Sequence, residues 1–242
     1  MPKAVLVTTT FSKSVEDLRF QLALKTCDAA KAAGYPIIIV DDSPEESMRD
    51  ILREHGATVY KQEYPGTGAS RRQTIKAGID TGTDVIVWLE PEKHPLVPLL
   101  GDCIEWVLDG VDLVIPCRQS LESLPEYQEL SELRANRELG FITGRPDLDL
   151  MFGPRVMSRT SAELLQKYVG KPSEDNWQIL FIPVLQALEM KMPVCSMLVD
   201  YVHPPEQTVA EQGDEVMNKK RDIQRHDLVD GMRRAATEWH RQ

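Results

Sequence analysis

The sequence predicts an α/β fold, a mostly parallel sheet flanked by helices with a helical C-terminal extension, on three observations. Residues 85–89, Val-Ile-Val-Trp-Leu, form a continuous apolar run, the pattern of a strand buried on both faces in a parallel sheet. From the N-terminus, strand-like and helix-like segments alternate as βαβαβ with short loops, which places helices on both sheet faces. Several strands run straight into polar residues, and open α/β sheets bind ligands beyond the carboxyl ends of their strands.

Ala4 to Val7 is an apolar strand followed by a polar loop, Thr8-Thr9-Thr10-Phe11-Ser12. Ser14-Val15-Glu16-Asp17 suits a capped helix start. Val15, Leu18, Leu22, Ala29 and Ala33 then keep one helical face up to a stop at Gly34. Pro36 opens a strand over 37–40 that ends on Asp41-Asp42-Ser43-Pro44. A helix to His55-Gly56 and a third strand over 57–60 follow. Gly66-Thr67-Gly68-Ala69-Ser70-Arg71-Arg72 leads into a helix through about Ile79, ahead of the strand at 85–89. Next come a helix over 95–109 and a strand over 111–116 ending near Arg118. Residues 119–140 read as a polar helix, 147–153 as a short extended piece, and Ser158 as a helix start. Ser173-Glu174-Asp175-Asn176-Trp177 opens a helix to about Met190. Val194 to Val199 is the last strand, ending on Asp200-Tyr201-Val202-His203. The tail from Glu206 is highly charged and weakly periodic, with Val209, Val216 and Ile223 seven apart.

A formal net charge of −10 argues against a general nucleic-acid surface. No run reaches the roughly 20 apolar residues that span a bilayer. The N-terminus enters a strand directly, unlike a signal peptide, so a cytoplasmic protein is expected. Cys27, Cys103, Cys117 and Cys195 are far apart without ligand spacing, which predicts reduced thiols and neither a disulfide framework nor a zinc site.

The candidate chemistry lies at the strand ends. Glu90 and Glu92, separated by Pro91, would point the same way on an extended segment. They could hold Mg²⁺ or Mn²⁺, which could hold a diphosphate; a solvated acidic turn is the simpler alternative. Asp41 and Asp42 suit a ribose or base edge, although Asp42 or Ser43 also suits capping the next helix. Gly66 and Gly68 ahead of Arg71 suit a phosphate, with bare N–H groups, a helix N-terminus and a guanidinium together. Asp175 could act as a general base or simply favour a helix dipole. His203 could be a third metal ligand or a structural histidine.

Taken together, Val-Asp-Asp-Ser-Pro (40–44), Gly-Thr-Gly-Ala-Ser-Arg (66–71), the acid-x-acid at 90–92 and Asp-Leu-Val-Ile-Pro-Cys-Arg (112–118) resemble family 2 glycosyltransferases of the GT-A fold. They are most similar to dolichol-phosphate mannose synthase and mannosylglycerate synthase type sequences. The segment from Trp177 to His203 resembles the same pattern, so the likeness spans roughly 3–205. The resemblance implies a Rossmann-like single domain over 1–205, with a nucleotide-binding half (1–118), an acceptor half (119–205) and a charged helical tail (206–242). It implies transfer of a sugar from a GDP- or UDP-sugar to an unidentified acceptor, with Mg²⁺ or Mn²⁺ as cofactor. Thr8, Thr9, Thr10, Asp41 and Asp42 would contact the nucleoside, and Gly66, Gly68 and Arg71 the base and phosphates. Glu90, Glu92 and His203 would hold the metal, Asp175 would be the catalytic acid residue of an inverting enzyme, and Arg118 with the 145–153 loop would face the acceptor.

Glu-Pro-Glu departs from the family's Asp-x-Asp: each side chain is one methylene longer, and proline stiffens the loop. Lys93 could supply positive charge in place of the metal, or be a solvated lysine. The rival readings are a nucleotidyltransferase acting on a sugar phosphate and a non-catalytic binding protein of the same fold. The first wants a glycine-rich basic loop after the first strand, which Thr8 to Ser12 does not provide. The tail could cover the site or pair with a second subunit as a homodimer.

Overall fold

The computed structural model describes residues 3–170 and 175–239. Its strands are β1 (Ala4–Thr10), β2 (Ile37–Asp41), β3 (Thr58–Lys61), β4 (Val85–Trp88), β5 (Leu113–Arg118), β6 (Arg155–Ser158) and β7 (Val194–Val199). Its helices are α1 (Leu18–Ala33), α2 (Glu46–Glu54), α3 (Thr67–Asp80), α4 (Gly101–Leu108), α5 (Glu126–Thr143), α6 (Arg159–Lys167), α7 (Ile182–Glu189), α8 (Pro205–Glu211) and α9 (Glu215–Trp239). The strands form one sheet in the order β3-β2-β1-β4-β6-β5-β7, parallel except for β6.

Alternation along the strands divides the core between the two sheet faces. Ala4 and Leu6 of β1, with Val85, Val87 and Leu89, pack with α1, α2 and α4. Val5, Val7, Ile86 and Trp88 face α3, α6, α7 and α9. Each fully buried Leu, Ile or Val contributes about 1.5–3 kcal/mol by leaving water. Register sets where the site lies. Thr10 is level with Asp41, and Val7 with Trp88, so the residues just beyond them meet at one edge of the sheet.

Four segments depart from the sequence reading. Thr8 to Thr10 continue β1 instead of forming a loop, because β-branched threonines pair well with Ile39, Val40 and Asp41 of β2. The helix expected over 95–109 is a 3₁₀ turn (His94–Leu99) followed by α4, since Pro95 and Pro98 remove two N–H donors. Residues 155–158, expected to lead into a helix, form β6, with Val156 in one core layer and Met157 in the other. Of the helix expected from Ser173, residues 173 and 174 lie outside the described residues. The rest is a 3₁₀ turn (Trp177–Leu180) and α7, which has Pro183 in its first turn.

The tail folds back on its own chain. Leu228, Val229 and Met232 of α9 are buried in the second core layer, while Val209, Val216 and Ile223, seven apart, remain exposed. All four cysteines are free; Cys27 and Cys103 are buried, Cys117 and Cys195 partly so. Burial pushes the Cys27 and Cys103 thiols up to about 12. Among the described residues, no helix is long and apolar enough to cross a membrane.

Candidate functional site

The turn after β4 is held on three sides. Leu89 donates its N–H to the Val7 carbonyl at 3.3 Å, and Lys93 N–H closes a turn on the Glu90 carbonyl at 3.0 Å. The Thr26 hydroxyl of α1 donates to the Pro91 carbonyl at 2.6 Å. The Glu90 side chain lies against Gly153, where a Cβ would meet its Oε1 at 1.9 Å. Gly153 also has φ +98°, so glycine is required there twice over. Desolvation raises the Glu90 carboxyl above the usual range, and Glu92 adds to this while Lys93 opposes it. The Lys93 ammonium lies 5.1 Å from the Phe152 ring centroid and 5.4 Å from that of Tyr201, within cation–π reach. Burial works against its charge, yet Tyr201, Glu90 and Glu92 hold it above the usual lysine range.

Glu90 and Glu92 form a wall between two cavities. The outer one, a groove of about 510 Å³, is lined by Thr9, Thr10, Asp42, Gly66, Arg71 and Trp88, among others. The inner one, about 230 Å³, adds Lys93, Phe152, Leu180, Phe181 and Leu228. Arg19 of α1, Trp177, and Lys220 and Gln224 of α9 border both. Arg71 is clamped between Trp177 (4.0 Å to the ring centroid) and Trp88 (5.3 Å), and donates to the Asn176 carbonyl at 2.9 Å. Desolvation lowers its guanidinium to about 10, with Glu90 and Glu92 opposing, so it remains charged at neutral pH.

Buried polar atoms without a protein partner include Nε of Arg71, Nε1 of Trp88 and Oε2 of Glu90, on residues that line these cavities, and Oη of Tyr201, whose ring lies near Lys93. Buried polar groups are nearly always satisfied. Such a gathering at the carboxyl end of a sheet marks a place built to receive polar groups from elsewhere.

Of the sequence-predicted residues, Thr9, Thr10, Asp42, Gly66, Arg71, Glu90 and Glu92 come together around these cavities. Thr8, Asp41, Gly68, Arg118, Asp175 and His203 line neither of them. Thr8 is buried within the sheet. Asp41 is fully buried and accepts from the Thr10 hydroxyl (2.7 Å), the Ser43 N–H (3.0 Å) and hydroxyl (2.7 Å), and Arg49 (3.0 Å). It braces the strand end and leaves the groove to exposed Asp42. Gly68 serves Asp175: its N–H donates to the Asp175 carbonyl at 3.1 Å, and a Cβ would meet Asp175 Oδ1 at 2.3 Å. Arg118 is spent on Asp149, at 2.7 and 2.9 Å, and on Glu132, at 2.8 Å.

Asp175 is bound through both carboxylate oxygens by Arg72, at 2.5 and 2.6 Å. That pairing holds its carboxyl below the usual range, which opposes proton acceptance. Asp175 is thus held by Arg72 outside both cavities. His203 is buried, its Nδ1 2.9 Å from the Thr208 hydroxyl. Desolvation, with Lys93 adding to it, lowers its imidazole to about 4. The metal set of Glu90, Glu92 and His203 does not form. Among the described residues, no group of three or more His, Cys, Asp or Glu could hold a metal ion, and an ammonium lies beside the two glutamates.

Sequence reasoning missed Trp88 and Trp177 as the clamp on Arg71, and Arg19, Lys220 and Gln224 as shared walls. The apolar run at 85–89 contains the first. Nothing local marks the others, which the fold brings in from α1 and α9.

No family model and no curated protein matches the chain. Among solved structures, it is similar to glucosyl-3-phosphoglycerate synthase from Mycobacterium tuberculosis in complex with Mn²⁺, UDP-glucose and phosphoglyceric acid. The TM-score is 0.56 at 18% identity, over 94% of this chain and 79% of that one. The fold is GT-A. The same synthase bound to UDP gives a TM-score of 0.55 at 18% identity, covering 96% and 80%. A cytidylyltransferase from Leptospira borgpetersenii shares the architecture more loosely, with a TM-score of 0.50 at 11% identity over 82% and 77%. In this GT-A chain the two cavities open at the carboxyl ends of β1 and β4, where open α/β sheets carry their ligands.

Proposed function

We propose that the chain is a glycosyltransferase that moves a sugar from a nucleotide-sugar to an acceptor hydroxyl or phosphate. The gathering of unpartnered buried polar atoms around Arg71, Trp88, Glu90 and Tyr201 carries the reading. The nucleoside lies in the outer groove against Thr9, Thr10 and Asp42, with Gly66 and Arg71 along its floor. The diphosphate reaches the Glu90–Glu92 wall, and the acceptor enters the inner cavity beside Phe152 and Trp177. The UDP and UDP-glucose complexes of the structural neighbours support a nucleotide-sugar as donor, and their Mn²⁺ supports a cation near its diphosphate. The residues here offer that cation two glutamates and no third ligand, so no step is routed through it.

Chemically, the site holds the donor and orients the acceptor. Fixed charges aimed at a departing diphosphate are the usual electrostatic contribution to such a transfer. Glu90 and Glu92 are the acidic side chains that border both cavities, and they replace Asp175 as candidates to take the acceptor proton. The cytidylyltransferase neighbour shares the fold, but Thr8 to Ser12, which span the strand's end at Thr10, carry neither glycine nor arginine, which favours glycosyl transfer.

The test is a panel of UDP- and GDP-sugars, assayed by calorimetry and by donor hydrolysis. Binding of one sugar-nucleotide series is expected. Asp42→Ala should weaken it about five- to thirtyfold, the loss of one or two hydrogen bonds at ~1 kcal/mol each. Glu92→Gln should lower turnover more than affinity. If no nucleotide-sugar binds at millimolar concentration, the reading fails.

A further inference from the structure

We propose that the chain brings its own positive charge to the donor diphosphate in place of a divalent cation: Lys93 beside the two glutamates, with Arg19 and Lys220 facing them. The inference rests on the nucleotide-sugar reading. It starts from a disagreement between a metal-using site and the residues present. Glu90 and Glu92 have no third ligand, His203 is engaged by Thr208 and buried, and a cation already stands among the acids.

Lys93 is that cation. Its ammonium rests near the Phe152 and Tyr201 rings, and among the described residues it makes no ion pair within 4 Å. It lines the same cavity as Glu90 and Glu92, while its hydrogens are not committed to either. Lys93 thus offsets the glutamates as a metal ion would, and a divalent ion between them would be repelled by it. Across the cavities, Arg19 and Lys220 border the same two glutamates. Lys220 is exposed and has no hydrogen bond or ion pair among the described residues. Arg19 has only a loose 3.8 Å contact with Glu211. With Arg71 and Asp42, which also line the outer groove, four cations stand against three carboxylates where a diphosphate would arrive, and α9 becomes a working wall of the site.

The experiment is calorimetry of the full chain, stripped of metal in EDTA, with UDP, GDP and the two nucleosides, repeated with Mn²⁺. One diphosphate is expected to bind in EDTA with an affinity within about threefold of its Mn²⁺ value, a difference well under 1.4 kcal/mol. Lys93→Met should weaken binding in EDTA by roughly 10- to 100-fold, the loss of one charge-assisted contact, and Mn²⁺ should then restore it. Lys220→Ala should cost about tenfold on the same reasoning. Lys219→Ala, an exposed neighbour that lines neither cavity, should change nothing, and nucleoside binding should hold in every variant.

Wild-type binding that requires Mn²⁺ overturns the inference and leaves the glycosyltransferase reading intact. So does unchanged diphosphate affinity in both Lys93→Met and Lys220→Ala. If Lys93→Met fails to fold, the wild-type comparison and Lys220→Ala decide the question. If neither diphosphate binds with or without Mn²⁺, the nucleotide reading falls and the inference with it.

Discussion

Gly153 and Glu90 are matched to each other: the glycine has no Cβ where the carboxylate needs room, and the carboxylate fills that room. In Gly153→Ala, both the 1.9 Å approach and the φ of +98° must be relieved. We expect a stability loss of about 1–3 kcal/mol by urea unfolding, together with displacement of Glu90 and weaker donor binding. Asp175→Asn is expected to behave differently. It breaks the two-oxygen pair with Arg72, costing about 1–3 kcal/mol, but leaves kcat per folded molecule near wild type. A hundredfold loss of kcat at unchanged stability would restore Asp175 as a catalytic residue. His203 makes a third case. Its folded value of about 4 lies below the ordinary value of about 6.5. Above pH 6.5 both states are neutral and the histidine adds no slope. As pH falls from about 6.5 to 4, the unfolded chain takes up a proton that the folded one refuses, so stability drops by about 3 kcal/mol. Comparing urea midpoints of the wild type and His203→Asn at pH 7 and pH 4.5 checks this; the variant should lack that part of the acid loss. At this scale the sequence was half legible. Strand ends pointed to Asp41 and Asp42, but which one turns inward depends on register with Thr10 and on Arg49, eight residues further on. His203 and Arg118 have the right chemistry for a site, and only packing shows that their neighbours already occupy them.

Among the elements, β6 does the most to position the site, and it was the strand least visible beforehand. Four residues between a Gly-Pro pair and a helix carry no periodicity of their own. Arg155, fully buried, makes them structural. It donates to the carbonyls of Leu180 (3.1 Å), Pro154 (2.9 Å) and Leu150 (3.0 Å), joining the turn that carries Trp177 to the turn that carries Phe152. Arg155→Met strands those carbonyls without donors. We expect a loss of about 3 kcal/mol by urea unfolding, with looser packing of the Trp177 turn over Arg71 read from tryptophan fluorescence. The strands with strong apolar runs were legible because burial on both faces writes itself into composition. The 3₁₀ turns were not, because Pro95, Pro98 and Pro183 interrupt segments whose apolar pattern still looks helical.

At the scale of the whole molecule, α9 packs into the body of the fold. Its charged texture fitted a cover over the site or a helix pairing with a second subunit; Leu228, Val229 and Met232 anchor it in the second core layer, and Lys220 and Gln224 border the site. A surface stripe seven residues apart was the visible signal, while the anchoring residues lie later in the helix. The order of the sheet has a further consequence, for how the chain acquires this structure. β4 pairs with β6, some 70 positions along, while β5, made earlier, must leave room between them. A chain emerging from the ribosome therefore carries β4 as an open, fully apolar edge until residue 158 arrives. Such non-local pairing slows folding, and bare edges invite association with other chains. Synthesis of this protein should depend on chaperones or slow dilution more than its ordinary size suggests, and a fragment ending at residue 118 should aggregate instead of giving a soluble half.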